Sequence, residues 1–267
     1  KNNSQQINRS QMKTSKHNTF SRRKFILRLS VGGILASFAW AADFTTTHAA
    51  DSVSEKVVRV ACVGDSITFG SGIKDRQHDS YPAVLGGLLG AGWDVRNFGH
   101  SGATLLKKGD LPYFKQKEHA EALAFAPDIV VIMLGTNDSK HRGDGSLDAD
   151  NAVDNWQHKA DYISDYEELI AEFRKANPTV KVYVCLPTPC FPGRWGINDK
   201  TIHDEVIPLV QQVAKDENAG VIDLNTALAG KKNLFPDTVH PNPAGAKLMA
   251  ETIYHVLTGR EIPPGRQ

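Results

Sequence analysis

From residue 57 onward the hydrophobic positions switch repeatedly between two spacings. Short apolar runs bounded by turn residues predict buried strands at 57–63, 95–98, 128–134, 180–186 and 221–224. The run Asp128-Ile129-Val130-Val131-Ile132-Met133-Leu134 is the clearest of them. Between the runs, apolar residues at helical spacing predict helices at 81–89, 117–125, 162–176, 203–215 and 244–257. The punctuation agrees: Pro127 ends one helix, Asn177-Pro178 the next, and Gly259 follows the last, while Gly86 and Gly87 weaken the first. Strands alternating with helices predict an α/β fold in three layers, the sheet covered on both faces. A five-stranded, doubly wound parallel sheet is then the simplest topology, because right-handed crossovers leave few others. One domain, 51–267, accounts for the whole pattern. Two connections, at 139–160 and 188–201, are too long to be simple links.

The first fifty residues are a different kind of sequence. Residues 1–20 are polar, without apolar periodicity, and predict disorder. Arg22-Arg23 then precedes a modest apolar run to Ala42, the pattern of a twin-arginine export signal. Ala39-Trp40-Ala41 and Thr47-His48-Ala49 are candidate cleavage sites. The run contains Arg28 and two glycines and falls short of a bilayer span, so a removed signal is favoured over an anchor. The mature chain is therefore expected to be exported, periplasmic or secreted, and not membrane-spanning. The chain opens on Lys1, not Met, which leaves room for residues upstream. In an oxidising compartment Cys185 and Cys190 could pair across a four-residue gap, whereas Cys62 in an apolar strand is expected to be an inert core thiol. The remaining composition is that of an ordinary globular protein: 267 residues, 40% hydrophobic and 23% charged. A formal net charge of +1 gives no electrostatic argument for a nucleic-acid or membrane-surface partner.

Candidate chemistry sits at the strand ends. Gly64-Asp65-Ser66-Ile67-Thr68-Phe69-Gly70 puts a serine on a tight turn at the carboxyl edge of the first strand. It is not a Gly-x-Ser-x-Gly elbow, because Thr68 stands where the second glycine would be. Asn97-Phe98-Gly99-His100-Ser101-Gly102-Ala103-Thr104 follows the second strand, where a glycine leaves an amide N–H free to face a ligand. Gly135-Thr136-Asn137-Asp138 follows the third, with a neutral side-chain donor. In Asp237-Thr238-Val239-His240-Pro241, an Asp three residues before a His can accept the imidazole Nδ1–H and leave Nε2 for a serine proton. Each block also has a structural reading: Ser66 as a helix N-cap, Gly-His-Ser-Gly as a turn, Asn137-Asp138 as a cap, Asp237 and His240 as a surface pair. Together they carry more weight, because a parallel sheet brings the ends of successive strands to one place.

This ordered set resembles the SGNH (GDSL-type) hydrolase superfamily over residues 57–258. The resemblance implies a three-layer α/β/α, flavodoxin-like fold and an ester hydrolase that needs no metal or cofactor. It implies Ser66 as nucleophile, His240 as base and Asp237 as the carboxylate orienting it. The Ser66 N–H, the Gly102 N–H and the Asn137 amide would form the oxyanion hole. No Cys/His cluster has metal-ligand spacing. Asp65 and His100, beside these positions, are candidate substrate contacts, though His100 equally suits a turn. Trp156 and Trp195 lie in the two long connections and offer flat apolar faces to a sugar ring, or else pin their loops to the core. The polar 139–160 segment suits a carbohydrate better than an acyl chain. The combination looks like exported carbohydrate O-acetylesterases acting on an acetylated glycan. The rival expectations are a lysophospholipase, thioesterase or arylesterase using the same machinery, or a non-catalytic carbohydrate-binding protein.

Overall fold

In a computed structural model, described over residues 56–141 and 153–262, five strands make one sheet. They are β1 (Val58–Gly64), β2 (Trp93–Gly99), β3 (Ile129–Met133), β4 (Lys181–Leu186) and β5 (Gly220–Asp223). Their order is β2-β1-β3-β4-β5, and every neighbouring pair is parallel. The chain leaves β1 toward β2 on one side and then crosses to β3 on the other. The carboxyl ends of β1, β2 and β3 therefore face a switch-point crevice. The register aligns them, with Gly64 level with both Gly99 and Met133.

The helices are α1 (Ser66–Phe69), α2 (Arg76–Asp79), α3 (Tyr81–Leu89), α4 (Lys117–Phe125), α5 (Tyr162–Ala176), α6 (Asp199–Thr201), α7 (Ile207–Asp216), α8 (Leu224–Leu228) and α9 (Pro243–Thr258). Side chains alternate across the sheet. Ala61, Val63, Val130, Ile132 and Val184 pack with residues of α4, α5 and α7. Val60, Cys62, Val131, Met133 and Ile222 pack with α3, α8 and α9. Because both faces are covered, the central strands read as unbroken apolar runs. Helix α5 buries Tyr162, Tyr166, Leu169, Ile170 and Phe173 at helical spacing. Each such side chain contributes about 1.5–3 kcal/mol of burial. The expected extents of α3, α4 and α5 coincide with the observed ones. The helix expected at 203–215 instead starts at α6 and passes through a π turn, Ile202–Val206, before α7. Strand β2 starts earlier than its apolar run, because its pairing with β1 extends back to Trp93.

The Cys185–Cys190 pairing that the sequence left open is not formed, and all three cysteines are buried free thiols. Cys185 points into the core beneath β4, while Cys190 joins a separate small cluster with Ile197, Ile202 and Val239. Burial pushes the Cys62 thiol up to about 12, which makes it the inert core thiol expected. The polar N-terminus, the twin-arginine segment and residues 142–152 of the first long connection lie outside the described residues. Among the described residues no helix is long and apolar enough to cross a membrane.

Candidate active site

Strand β1 ends in Gly64, and the chain turns at once into α1. Asp65 is the N-cap of this short helix: its Oδ1 accepts the Ile67 N–H at 2.9 Å. Ser66 is thus the first helical residue and not the cap. The turn is tight because Gly64 has no Cβ, which would meet Thr68 Oγ1 at 2.1 Å and the Met133 carbonyl at 2.6 Å. Thr68 therefore fills the space above Gly64, and its hydroxyl pairs with Tyr81 Oη at 3.0 Å.

His240 approaches from the loop ahead of α9. Asp237 Oδ1 accepts the N–H groups of Val239 (3.0 Å) and His240 (2.7 Å), folding the loop back on itself. Thr238 adopts φ 75° within that turn. Asp237 Oδ2 then lies 2.8 Å from His240 Nδ1, and His240 Nε2 lies 2.8 Å from Ser66 Oγ. With Nδ1–H donated to the carboxylate, Nε2 is left to accept the serine O–H. Partial burial pushes the Asp237 carboxyl up, but the hydrogen bonds from His240 and Val239 outweigh it and hold the group below its ordinary range. Asp237 is therefore the ionised member of the chain.

The donors come from the other two strand ends. Gly102 takes φ 86°, a left-handed turn that suits glycine. Asn137 donates one amide hydrogen to the Ala103 carbonyl at 3.1 Å, which fixes its plane and, among the described residues, leaves the second hydrogen without a partner. Among the described residues, the Ser66 and Gly102 N–H groups are committed to no hydrogen bond. Ser66, Gly102, Asn137 and His240 line one cavity of about 340 Å³ together with Ser101, Lys140, Trp195 and Ile197. A larger groove of about 450 Å³ runs beside β2 past Phe69, Arg76 and Glu118, but it holds neither Ser66 nor His240. Convergence of reactive groups, not volume, marks the site. The arrangement can deprotonate a hydroxyl beside donors aimed at a developing oxyanion.

Two further aspartates are sealed beneath the strand ends. Asp138 accepts the Leu105 and Leu106 N–H groups at 3.0 and 2.7 Å. Burial pushes it up to about 7, with the Asp65 charge adding to the rise. Burial likewise pushes Asp65 up to about 6. Asp65 is fully buried, so it is a cap and not the expected substrate contact. Trp156 is also corrected. It is 3% exposed, donates its indole N–H to Glu205 at 2.9 Å and packs edge-on against Tyr162. The long connection is pinned to the core by this ring, which has no face left for a ligand. His100 turns to Glu118 at 2.9 Å and does not line the cavity, which leaves the turn reading. Trp195 does line it, 42% exposed, with its ring 5.5 Å from the His240 imidazole. Sequence reasoning missed Lys140 and Ile197 at the cavity wall. Lys140 stands only three residues beyond Asn137, which is the one signal available for it. Among the described residues no cluster of three His, Cys, Asp or Glu is placed to hold a metal ion.

Residues 62–248 match the GDSL-like Lipase/Acylhydrolase family. An acetylxylan esterase of Xylanibacter ruminicola is 42% identical over 217 residues, covering 74% of this chain and 43% of that protein. The chain thus spans less than half the length of this relative. Among solved structures, the native M. smegmatis aryl esterase is 20% identical with a TM-score of 0.59, over 76% of this chain and 99% of the other. The acetyl xylan esterase AlAXEase is 21% identical with a TM-score of 0.57, over 74% and 98%. At those identities the two structures speak to the fold alone.

Proposed function

The chain belongs to the GDSL-like Lipase/Acylhydrolase family, and from that premise we propose that it is a serine esterase removing acetyl groups from a carbohydrate. One observation carries the reading: an unbroken path from Asp237 through His240 to Ser66, with 2.8 Å at each step, opening on a cavity that also holds Gly102 and Asn137.

Ser66 Oγ attacks the acetyl carbonyl as His240 Nε2 takes its proton. The carbonyl π electrons move to oxygen, and the oxyanion is met by the Ser66 and Gly102 N–H groups and the Asn137 amide. Asp237 stabilises the imidazolium and keeps it oriented. The tetrahedral intermediate collapses, the sugar oxygen leaves with the His240 proton, and an acetyl-serine remains. Water then attacks, giving its proton to Nε2. Acetate departs as the proton returns to Ser66.

The acetyl and sugar parts of this reading draw support from the small cavity, the exposed Trp195 face and the 42% identity to an acetylxylan esterase. The Arg22-Arg23 pattern supports export ahead of action on an external glycan. The test is acetate release from a panel of acetylated glycans, alongside p-nitrophenyl esters of increasing length. Wild type is expected to release acetate and prefer the two-carbon ester, while Ser66→Ala is expected to be inactive yet folded. A preference for eight-carbon or longer esters would point to a lipase-type substrate. Failure of a fluorophosphonate to label Ser66 would leave only a binding protein.

A further inference from the structure

Lys140 belongs to the cavity wall but to none of the roles above. Its side chain is only 13% exposed, and its ammonium donates to Asp110 Oδ2 at 2.9 Å. Asp110 is itself held from behind. Asn155 Nδ2 donates to Asp110 Oδ1 at 2.8 Å, and the Asp110 N–H donates to Asn155 Oδ1 at 2.9 Å. Asn155 is buried, and its amide also donates to the Asn137 carbonyl at 2.9 Å. The Lys140 carbonyl accepts the Asn155 and Trp156 N–H groups at 3.0 and 3.2 Å. The ammonium and the carboxylate are therefore fixed relative to Asn137, beside the nucleophile. An exposed Lys–Asp pair would be loose and would contribute little. This one is half-sequestered and belongs to a hydrogen-bond network that reaches the Asn137 carbonyl through Asn155.

The chemistry of the pair defines what it can recognise. Among the described residues the ammonium uses one of its three N–H donors, and each Asp110 oxygen accepts one bond with lone-pair capacity left. With its charge offset by Asp110, which is not among the residues lining the cavity, Lys140 presents a donor with no net charge to the pair. That suits a neutral hydroxyl accepting from Nζ, and not a substrate carboxylate. The cavity wall thus combines the Trp195 face with a donor that Asp110 holds in place.

We propose that Lys140, positioned by Asp110, is a specificity-determining residue that donates a hydrogen bond to a free hydroxyl next to the acetylated carbon of a neutral pyranose. This rests on the carbohydrate acetylesterase reading.

The experiment compares a mono-O-acetylated methyl pyranoside with its deoxy analogue lacking the adjacent hydroxyl, using the ratio of their kcat/KM values within each enzyme. In wild type the ratio is expected to be about 10- to 100-fold, as for a hydrogen bond to a charged group. In Lys140→Met it is expected to fall toward one, whatever happens to the absolute rates, and Lys140→Arg is expected to retain part of it. A wild-type ratio near one, or an undiminished ratio in Lys140→Met, would overturn the Lys140 contact while leaving the acetylesterase reading intact. Preference for a uronic-acid counterpart would overturn the neutral assignment. No acetate from either sugar, with p-nitrophenyl acetate still cleaved, would remove the carbohydrate reading and this proposal with it.

Discussion

Replacing Gly64 by alanine isolates the seating of the nucleophile from its chemistry. Gly64 does not occupy the left-handed region, so the added methyl brings no backbone strain. Its cost is steric. The new Cβ would stand 2.6 Å from the Met133 carbonyl oxygen and 2.1 Å from Thr68 Oγ1. Ordinary contact begins near 3.4 Å, so α1 must lift by about 0.8 to 1.3 Å, since β3 is fixed in the sheet and Thr68 is held by Tyr81. Ser66 rides on the first turn of that helix, 2.8 Å from His240 Nε2. A lift of that size takes the pair out of hydrogen-bond range. Misplacement by about 1 Å is worth roughly 100-fold in rate, and the overpacking costs about 1–3 kcal/mol of stability. The assay is kcat/KM on p-nitrophenyl acetate, with circular dichroism and urea unfolding to establish that the variant is folded. Fluorophosphonate labelling of Ser66 should slow in parallel, because it needs the same activated oxygen. A folded Gly64→Ala protein within threefold of wild type in kcat/KM would refute the idea that this glycine seats the serine.

Two other outcomes follow from the same geometry. On the proposed mechanism, Asn137→Ala removes one oxyanion donor and should lower kcat about 100- to 1000-fold with little change in KM; steady-state kinetics showing mainly a KM effect would assign Asn137 to ground-state binding instead. Asp138 governs a pH dependence of stability. Its folded value, raised to about 7 from an ordinary carboxylate range near 3.9, means that the folded chain keeps a proton the unfolded chain has released. The associated stability is fully present below about pH 4 and is lost as pH rises through 7. Asp65 acts in the same direction, its window closing at about 6. Urea unfolding at pH 5 and pH 8 should therefore show a steeper loss toward high pH in wild type than in Asp138→Asn, and equal slopes would contradict the assignment.

The four motif blocks were legible in the sequence because each is local. A strand's apolar run announces its own end, and the residues that follow it must stand at the sheet's carboxyl edge. That logic put Ser66 and Asn137 at the strand ends, the family resemblance singled out Gly102 within its block, and the three-residue spacing of Asp237 and His240 already placed carboxylate and imidazole within reach. The five-stranded parallel sheet followed from the same periodicity. What the spacing leaves open is which side chains of a long connection face the cavity. Trp156 and Trp195 are alike as residues, yet one is sealed against Tyr162 and Glu205 while the other stands over His240. Tertiary contacts decide this. The two long connections meet through the His141 N–H to the Gly196 carbonyl and the Asn198 N–H to Ser139 Oγ. Asp110, Lys140 and Asn155 likewise come together only across separations of 30 and 45 residues. Cys185 and Cys190, close along the chain, are turned into different clusters by the end of β4. Periodicity encodes which face of an element is buried, because that depends on neighbours one turn or two residues away. Membership of a cavity depends on where distant loops cross, and only the folded chain brings those loops into contact.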